Sequence, residues 1–150
     1  MYENILVPLD GSKRAEMILP HVEEMARRFK AKVIFVQVVE LIHWVVGPYQ
    51  ETNKALQQQE FEEKTKEARS YLASLRGEFR EKGIEARTRI LDGPVVEAII
   101  NAAEREGADL IAIASHGRSG LSGVFYGSVA AGVLHRIDRP LLIIRSQGDE

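Results

Sequence analysis

The residues best suited to chemistry lie near the end of the chain, where glycine and serine recur between residues 114 and 128. The glycines of this segment are Gly117, Gly120, Gly123 and Gly127. Glycines let backbone N–H groups approach an anion closely, and a helix beginning near Ser128 would add unpaired N–H groups at its positive end. Arg118 adds a positive charge. The segment therefore suits a polyphosphate, and the alternative is an ordinary turn-rich loop with a serine cap.

Two familiar phosphate-binding patterns do not match this segment. A Walker loop ends in Gly-Lys followed by Ser or Thr, and no such ending is present. The dinucleotide pattern Gly-x-Gly-x-x-Gly is also missing. Glycine content alone therefore leaves the phosphate interpretation and the plain loop about equally favoured.

Composition limits the classes of function that these residues can serve. The formal net charge of the 150 residues is −2, which is not the signature of a nucleic-acid-binding chain. There is no cysteine, so disulfides, thiolate metal sites and thiol catalysis are excluded. We find no export signal and no apolar stretch that could span a bilayer, and we expect a cytoplasmic location. With no repeat or linker, we expect one domain, residues 1–150.

Five short apolar runs predict the strands that must position the glycine-rich segment. They lie at residues 5–9, 33–39, 84–91, 110–114 and 141–144. The stretches between them have helical periodicity, and a β-α-β-α-β-α-β-α-β order predicts a parallel sheet with helices on both faces. In the third run apolar residues alternate with charged ones, which indicates an edge strand with one side in water. The predicted order is 3-2-1-4-5.

The helices are predicted from their apolar stripes and their terminal residues. The first covers residues 15–29, and the second includes residues 61–79 and ends near Gly83. Pro94 is suited to the first turn of the third helix, and Ser128 to the cap of a fourth that runs to about Ile137. Residues 41–52, with Trp44 and Tyr49, form an irregular insert, which either packs on itself or covers a ligand or an interface.

The predicted strand order also locates a site. Ligands of such sheets bind beyond the carboxyl ends of the two strands between which the order reverses. Those ends are residues 8–11 after the first strand and residues 115–120 after the fourth. Asp10 is the acidic residue at this point, and its alternative role is to form a turn or to cap the first helix.

The glycine-rich segment resembles the nucleotide loop of ATP-binding universal stress proteins, which reads Gly-x-x-Gly, nine residues, then Gly-Ser or Gly-Thr. Gly117, a nine-residue spacer and Gly127-Ser128 match, and Ala114 stands where the family has its first glycine. Residues 5–12, 104–114 and 139–144 are also similar to the family, so the resemblance covers essentially the whole chain. It implies a Rossmann-like fold of the adenine nucleotide alpha hydrolase-like type.

The resemblance implies a set of binding residues and a ligand. Asp10 would accept hydrogen bonds from the ribose or adenine side, Val38 would offer backbone groups to adenine, and Gly127 with Ser128 would hold phosphates. The ligand would be ATP, or AMP or ADP, with Mg²⁺ bridging the phosphates and no dedicated metal site in the protein. The full predicted set is Pro8, Leu9, Asp10, Val38, Ile113, Ala114, Gly117, Arg118, Gly120, Gly127, Ser128 and Val129.

Three functions remain open at this point. The first is a dimeric ATP-binding stress or signalling module, with no catalytic residue assigned. The second is a slow ATP hydrolase, for which His116 and Arg118 are the obvious candidates, and the third is an interaction module without nucleotide. The apolar strand at residues 141–144 would lie at a sheet edge, and the resemblance implies a homodimer through a twofold pairing of two such strands. The alternative is that the chain's own helices cover it.

Overall fold

A single parallel sheet of five strands organises the computed structural model, which describes residues 1–40, 50–116 and 127–146. The strand order is β3-β2-β1-β4-β5, which confirms the predicted order. The pattern of alternating strands and helices forces crossovers that return each strand in the same direction. The strands are β1 Asn4–Pro8, β2 Lys32–Val39, β3 Ala86–Asp92, β4 Leu110–His116 and β5 Leu141–Ser146.

Helices cover both faces of this sheet. The first face carries a 3-10 helix (Ala15–Ile18) together with α1 (Leu19–Phe29) and α2 (Gln50–Glu81), and the second face carries α3 (Val95–Arg105) and α4 (Ser128–Arg136). Successive residues of a strand point to opposite faces, so the central strands need apolar side chains at every position. Within the described residues, no helix combines the length and the apolar character that crossing a membrane requires.

The strand β3 confirms the edge predicted from its alternating pattern. Ala86 and Leu91 are buried, whereas Arg87 and Arg89 are exposed. The strand begins at Ala86, not at Ile84, because the Ile84 N–H bonds the Phe79 carbonyl and closes the end of α2.

Several predicted boundaries need correction. The helix α2 begins at Gln50, so the last residues of the predicted insert are helical, while residues 41–49 with Trp44 and Tyr49 lie outside the described residues. Pro94 precedes the first turn of α3 as its N-cap: its carbonyl accepts the Ala98 N–H, but its own ψ of 138° is extended. The helix α4 ends at Arg136, because Ile137 is already extended.

Candidate functional site

The strands β1 and β4 separate near the middle of the sheet and open a crevice. Their ladder contains the pairs Ile5 with Leu110 and Leu6 with Ile111, although β1 continues to Pro8 and β4 to His116. The chain order reverses between these two strands, with β2 and β3 on one side and β4 and β5 on the other. The crevice therefore lies at the switch point where sheets of this type bind ligands.

A cavity of about 310 Å³ occupies the crevice, and we call it the β1–β4 cavity. Residues from the ends of β1, β2 and β4, from the turn before the 3-10 helix and from the starts of α3 and α4 line it. The predicted binding residues found among its lining are Pro8, Leu9, Asp10, Val38, Ile113, Ala114, Gly127, Ser128 and Val129. The remaining predicted residues, Gly117, Arg118 and Gly120, lie outside the described residues. The contacts of all twelve with a ligand stay a prediction.

One wall of the cavity is apolar and mostly buried. Val36, Ile99 and Ile113 line it and are almost fully buried, with exposed fractions of 0%, 1% and 5%. Val38 and Val95 extend this wall and are half-buried. A buried apolar surface of this kind favours the binding of flat apolar groups, such as a purine ring, because burying them removes apolar area from water.

The backbone of Val38 adds two polar groups beside that wall. The Leu9 N–H bonds the Val36 carbonyl at 2.8 Å, so the backbone groups of Val36 face β1. Because backbone direction alternates along a strand, the N–H and C=O of Val38 also point to the β1 side, where β1 has already ended at Pro8. These two groups therefore face the crevice, beside the apolar wall.

The start of α4 adds backbone polar groups to the cavity wall. The N-cap is Gly127, with φ 79° and ψ 154°, and the predicted cap Ser128 is instead the first residue of the helix. Among the residues that the structure describes, no side chain caps this end, and no acidic residue lies in the first turn of α4. The backbone of Gly127 has a conformation that only glycine adopts at low cost, and its position in the cavity wall leaves the first N–H groups of α4 available to an anion.

Asp10 holds the turn that follows β1. Its Oδ1 accepts hydrogen bonds from the N–H of Ser12 at 2.9 Å and from the Ser12 hydroxyl at 2.6 Å. The Ser12 Oγ in turn accepts the Ala15 N–H at 3.1 Å, which fixes the start of the 3-10 helix. The turn role predicted as an alternative is thus present, and Asp10 also lines the cavity with its exposed carboxylate.

Ala114 departs from the family motif without a backbone penalty. It lies within β4, paired with Ile144, and it is not among the residues with positive φ. Glycine is required only where φ is positive or where a side chain would block an approach. The alanine therefore preserves the strand and adds one methyl group to the cavity wall.

Sequence reasoning missed several residues of the cavity, of which Arg14, Glu40, Val95 and Ile99 matter most. Each of them lies within or close to a connection that leaves the carboxyl end of a strand, and in a parallel sheet all such connections meet at one edge. That rule was the available signal. Among the described lining residues, Arg14 brings a positive charge, whereas Asp10 and Glu40 bring negative charges.

A second cavity of about 470 Å³ lies at the end of β2, between the sheet and α2. Gln37 and Tyr71 line it, and it shares Asp10, Val38 and Glu40 with the β1–β4 cavity. The Tyr71 hydroxyl donates a hydrogen bond to Glu16. Burial, together with this carboxylate, raises the pKa of Tyr71 well above its ordinary value.

These features define a doubly wound α/β protein with a crevice at the switch point of its sheet, and comparison with known proteins gives the family. The model of the universal stress protein family matches residues 1–145, and the chain belongs to this family. Universal stress protein MJ0577 of Methanocaldococcus jannaschii is 30% identical, over 97% of this chain and 96% of that protein. The structure of MJ0577 has a TM-score of 0.82 at 27% identity and covers 99% of both chains.

Two further solved structures of this fold contain a nucleotide. A universal stress protein in complex with cAMP has a TM-score of 0.62 at 21% identity, with 97% of this chain and 98% of that chain covered. The universal stress protein from Archaeoglobus fulgidus in complex with dAMP has a TM-score of 0.60 at 22% identity, with 95% and 98% covered.

Proposed function

We propose that this protein binds an adenine nucleotide, ATP, in the β1–β4 cavity and works as a cytoplasmic homodimeric module of a stress response. The observation that carries the proposal is the union of two opposite surfaces in one cavity. A buried apolar wall suits the base, and the start of α4 behind Gly127, which no described side chain caps, suits the phosphates. Family members that bind the adenine nucleotides cAMP and dAMP support the same class of ligand.

The residues of the cavity fit such a ligand from one end to the other. The adenine ring would lie against Val36, Ile99 and Ile113, with its polar edge toward the free backbone groups of Val38. The phosphates would accept hydrogen bonds from the first N–H groups of α4. Mg²⁺ would neutralise the phosphates without a dedicated protein site, and among the described residues no cluster of three metal-binding side chains exists.

Calorimetric titration with ATP, AMP and GTP in the presence of Mg²⁺ tests the proposal. We expect heat from ATP and AMP and weaker binding of GTP, because guanine presents a different pattern of donors and acceptors to the fixed groups of Val38. The variant Gly127→Ala should weaken ATP binding about tenfold, since strain of about 1–3 kcal/mol falls on the phosphate-binding turn.

The matched control for Gly127→Ala is Gly83→Ala. Gly83 also has a positive φ, of 82°, but it follows α2 and does not line the cavity. Both variants strain the backbone, so only a site-specific effect separates them. Equal ATP affinity in the two variants, or the absence of adenine-dependent heat from the unmodified protein, would refute the proposed binding.

The homodimer part of the proposal rests on the contrast between the two edges of the sheet. At the β3 edge, the outward carbonyls of Ala86 and Thr88 accept hydrogen bonds from the guanidinium groups of Arg80 and Arg89, at 3.0 and 2.9 Å. Side chains with charge protect this edge from pairing.

The β5 edge is unprotected within the described part of the chain. The Ile111 N–H bonds the Pro140 carbonyl, so the alternating backbone directs Leu141, Ile143 and Arg145 away from β4. No described side chain bonds their carbonyls. Leu141 and Ile143 are also half-exposed, and the partly exposed Met17 of the adjacent 3-10 helix enlarges the apolar surface. A second copy paired antiparallel would satisfy both edges at once.

The variant Ile143→Pro tests this edge because proline removes the backbone N–H of residue 143, which points away from β4 and makes no hydrogen bond to that strand. We expect the molar mass in size-exclusion chromatography with light scattering to fall from dimer to monomer, with the circular dichroism retained. Thr88→Pro places the same change on an outward position of β3 and should leave the dimer intact. A folded Ile143→Pro variant that keeps the dimer mass would contradict the proposed interface.

A further inference from the structure

We propose that Arg14 binds the phosphate chain of the nucleotide, so that this protein binds an adenine ligand more tightly when the ligand carries phosphate. The inference rests on the proposed function and extends it to a residue outside the twelve predicted from the sequence.

The backbone of Arg14 is fixed before any ligand binds. The turn at Asp10 and Ser12 holds the preceding residues, and the Glu16 N–H bonds the Ser12 carbonyl at 3.2 Å. Arg14 itself is helical, with φ −64° and ψ −44°, and its carbonyl accepts the Met17 N–H at 3.2 Å. An arginine on such a pinned turn loses less conformational freedom on binding than one on a loose loop.

The side chain of Arg14 is half-buried in the cavity and lacks a partner within the described residues. Some other arginines of the described residues do have carboxylate partners: Arg89 pairs with Glu106 at 3.0 Å and Arg139 with Asp138 at 2.9 Å. Although the carboxylates of Asp10 and Glu40 line the same cavity, neither lies within the 4.0 Å distance of an ion pair with Arg14. A partly buried guanidinium without an anion is costly, and its planar donors match a phosphate.

Arg14 and the start of α4 approach the cavity from opposite faces of the sheet. Ala15 packs with the core beneath α1 and α2, whereas Val129 of α4 packs with the core of α3. The 3-10 helix that follows Arg14 lies against β4, the strand that leads toward α4. A phosphate at the N–H groups of Ser128 and Val129 would thus be enclosed between a helix end and a guanidinium.

The test compares ATP, AMP and adenosine on the full chain and on three variants: Arg14→Ala, Arg14→Lys and Lys13→Ala. Arg14→Ala should weaken the binding of ATP and AMP by about tenfold to a hundredfold, as expected for the loss of charged hydrogen bonds. The affinity for adenosine should change by no more than about twofold. Arg14→Lys should lie between, because a lysine keeps the charge and loses the paired donors. Lys13 is exposed and does not line the cavity, so Lys13→Ala controls for net charge.

The outcomes separate this proposal from the proposed function. If the unmodified protein binds ATP and AMP but Arg14→Ala weakens them no more than Lys13→Ala, the role of Arg14 is refuted while nucleotide binding stands. An equal loss for adenosine would also refute it, because that loss indicates a damaged cavity rather than a lost phosphate contact. Absence of all adenine-nucleotide binding to the unmodified protein would overturn both proposals.

Discussion

Substitution of Gly132 tests how closely the two helices on the second face must approach. A Cβ atom at Gly132 of α4 would lie 2.6 Å from Cγ2 and 3.3 Å from Cγ1 of Val96 on α3. Carbon atoms in contact are normally separated by about 3.5–4.0 Å, so about 1 Å of movement is needed. Valine has one strongly preferred rotamer in a helix, so the helices rather than the side chain must move.

The expected stability change is the difference of two opposing terms. Alanine in place of glycine inside a helix stabilises it by about 0.5–1 kcal/mol. Overpacking costs about 1–3 kcal/mol. We therefore expect Gly132→Ala to lower the free energy of unfolding by about 1 kcal/mol. Because α4 also carries Gly127 and Ser128, its displacement should weaken ATP binding as well.

The exposed Gly77 of α2 is the matched control. An added Cβ at Gly77 meets nothing within 4 Å, so Gly77→Ala should raise the free energy of unfolding by about 0.5–1 kcal/mol. The difference between the two variants in urea unfolding isolates the cost of the clash. Val96→Ala combined with Gly132→Ala should recover part of the loss, as a favourable coupling energy in a double-mutant cycle. Equal stabilisation by both glycine substitutions would refute the close approach of α3 and α4.

Three further predictions concern stability away from the helix pair. The Asp109 carboxylate accepts the Glu3 N–H at 2.9 Å and the Asn4 N–H at 3.1 Å. Asp109→Ala should therefore lower the free energy of unfolding, measured in urea, by about 1.5–3 kcal/mol. A loss no larger than that caused by Asp92→Ala, at an exposed aspartate, would contradict this. Tyr71 has a raised pKa in the folded state, so above its ordinary pKa of 10.0 the unfolded chain loses the proton first and stability falls as pH rises. Tyr71→Phe should flatten that fall above about pH 10, and an unchanged slope there would count against it. Ala114→Gly restores the family motif but should lower the free energy of unfolding by about 0.5–1 kcal/mol, because glycine weakens a strand. ATP affinity should not rise, and a gain in affinity would show that the alanine methyl group obstructs the ligand.

The sheet could be predicted because the pattern of apolar and polar residues along each strand indicates which of its faces are buried. The central strands are apolar at consecutive positions since both faces are covered, and β3 alternates because one face meets water. That single alternation placed β3 at an edge, and the edge fixed the order of the other strands. The crevice between β1 and β4 followed from the order alone.

The details of the site could not be predicted in the same way because they depend on distances between elements. A serine is a better helix cap than most residues, yet the buried Gly127 takes the cap position where the chain enters the cavity wall. The approach of Ile99 to Val36 depends on how α3 lies across the sheet, which its helical stripe does not reveal. Local preference was overridden by packing at both points.

The cavity contains both backbone polar groups and side chains, and only the side chains can vary among proteins of this fold. The polar groups of Val38 and the first turn of α4 are backbone groups, which any sequence of the same fold provides. A protein only 30% identical to MJ0577 can therefore keep the same backbone groups in this cavity while most of its side chains differ. Differences in the ligand that each member prefers must then arise from the side chains that reach the cavity, and among the described residues the charged ones are Asp10, Arg14 and Glu40. Since Asp10 is already bonded to Ser12, Arg14 is the described cation that, under the proposal above, would distinguish a phosphorylated ligand from a neutral one.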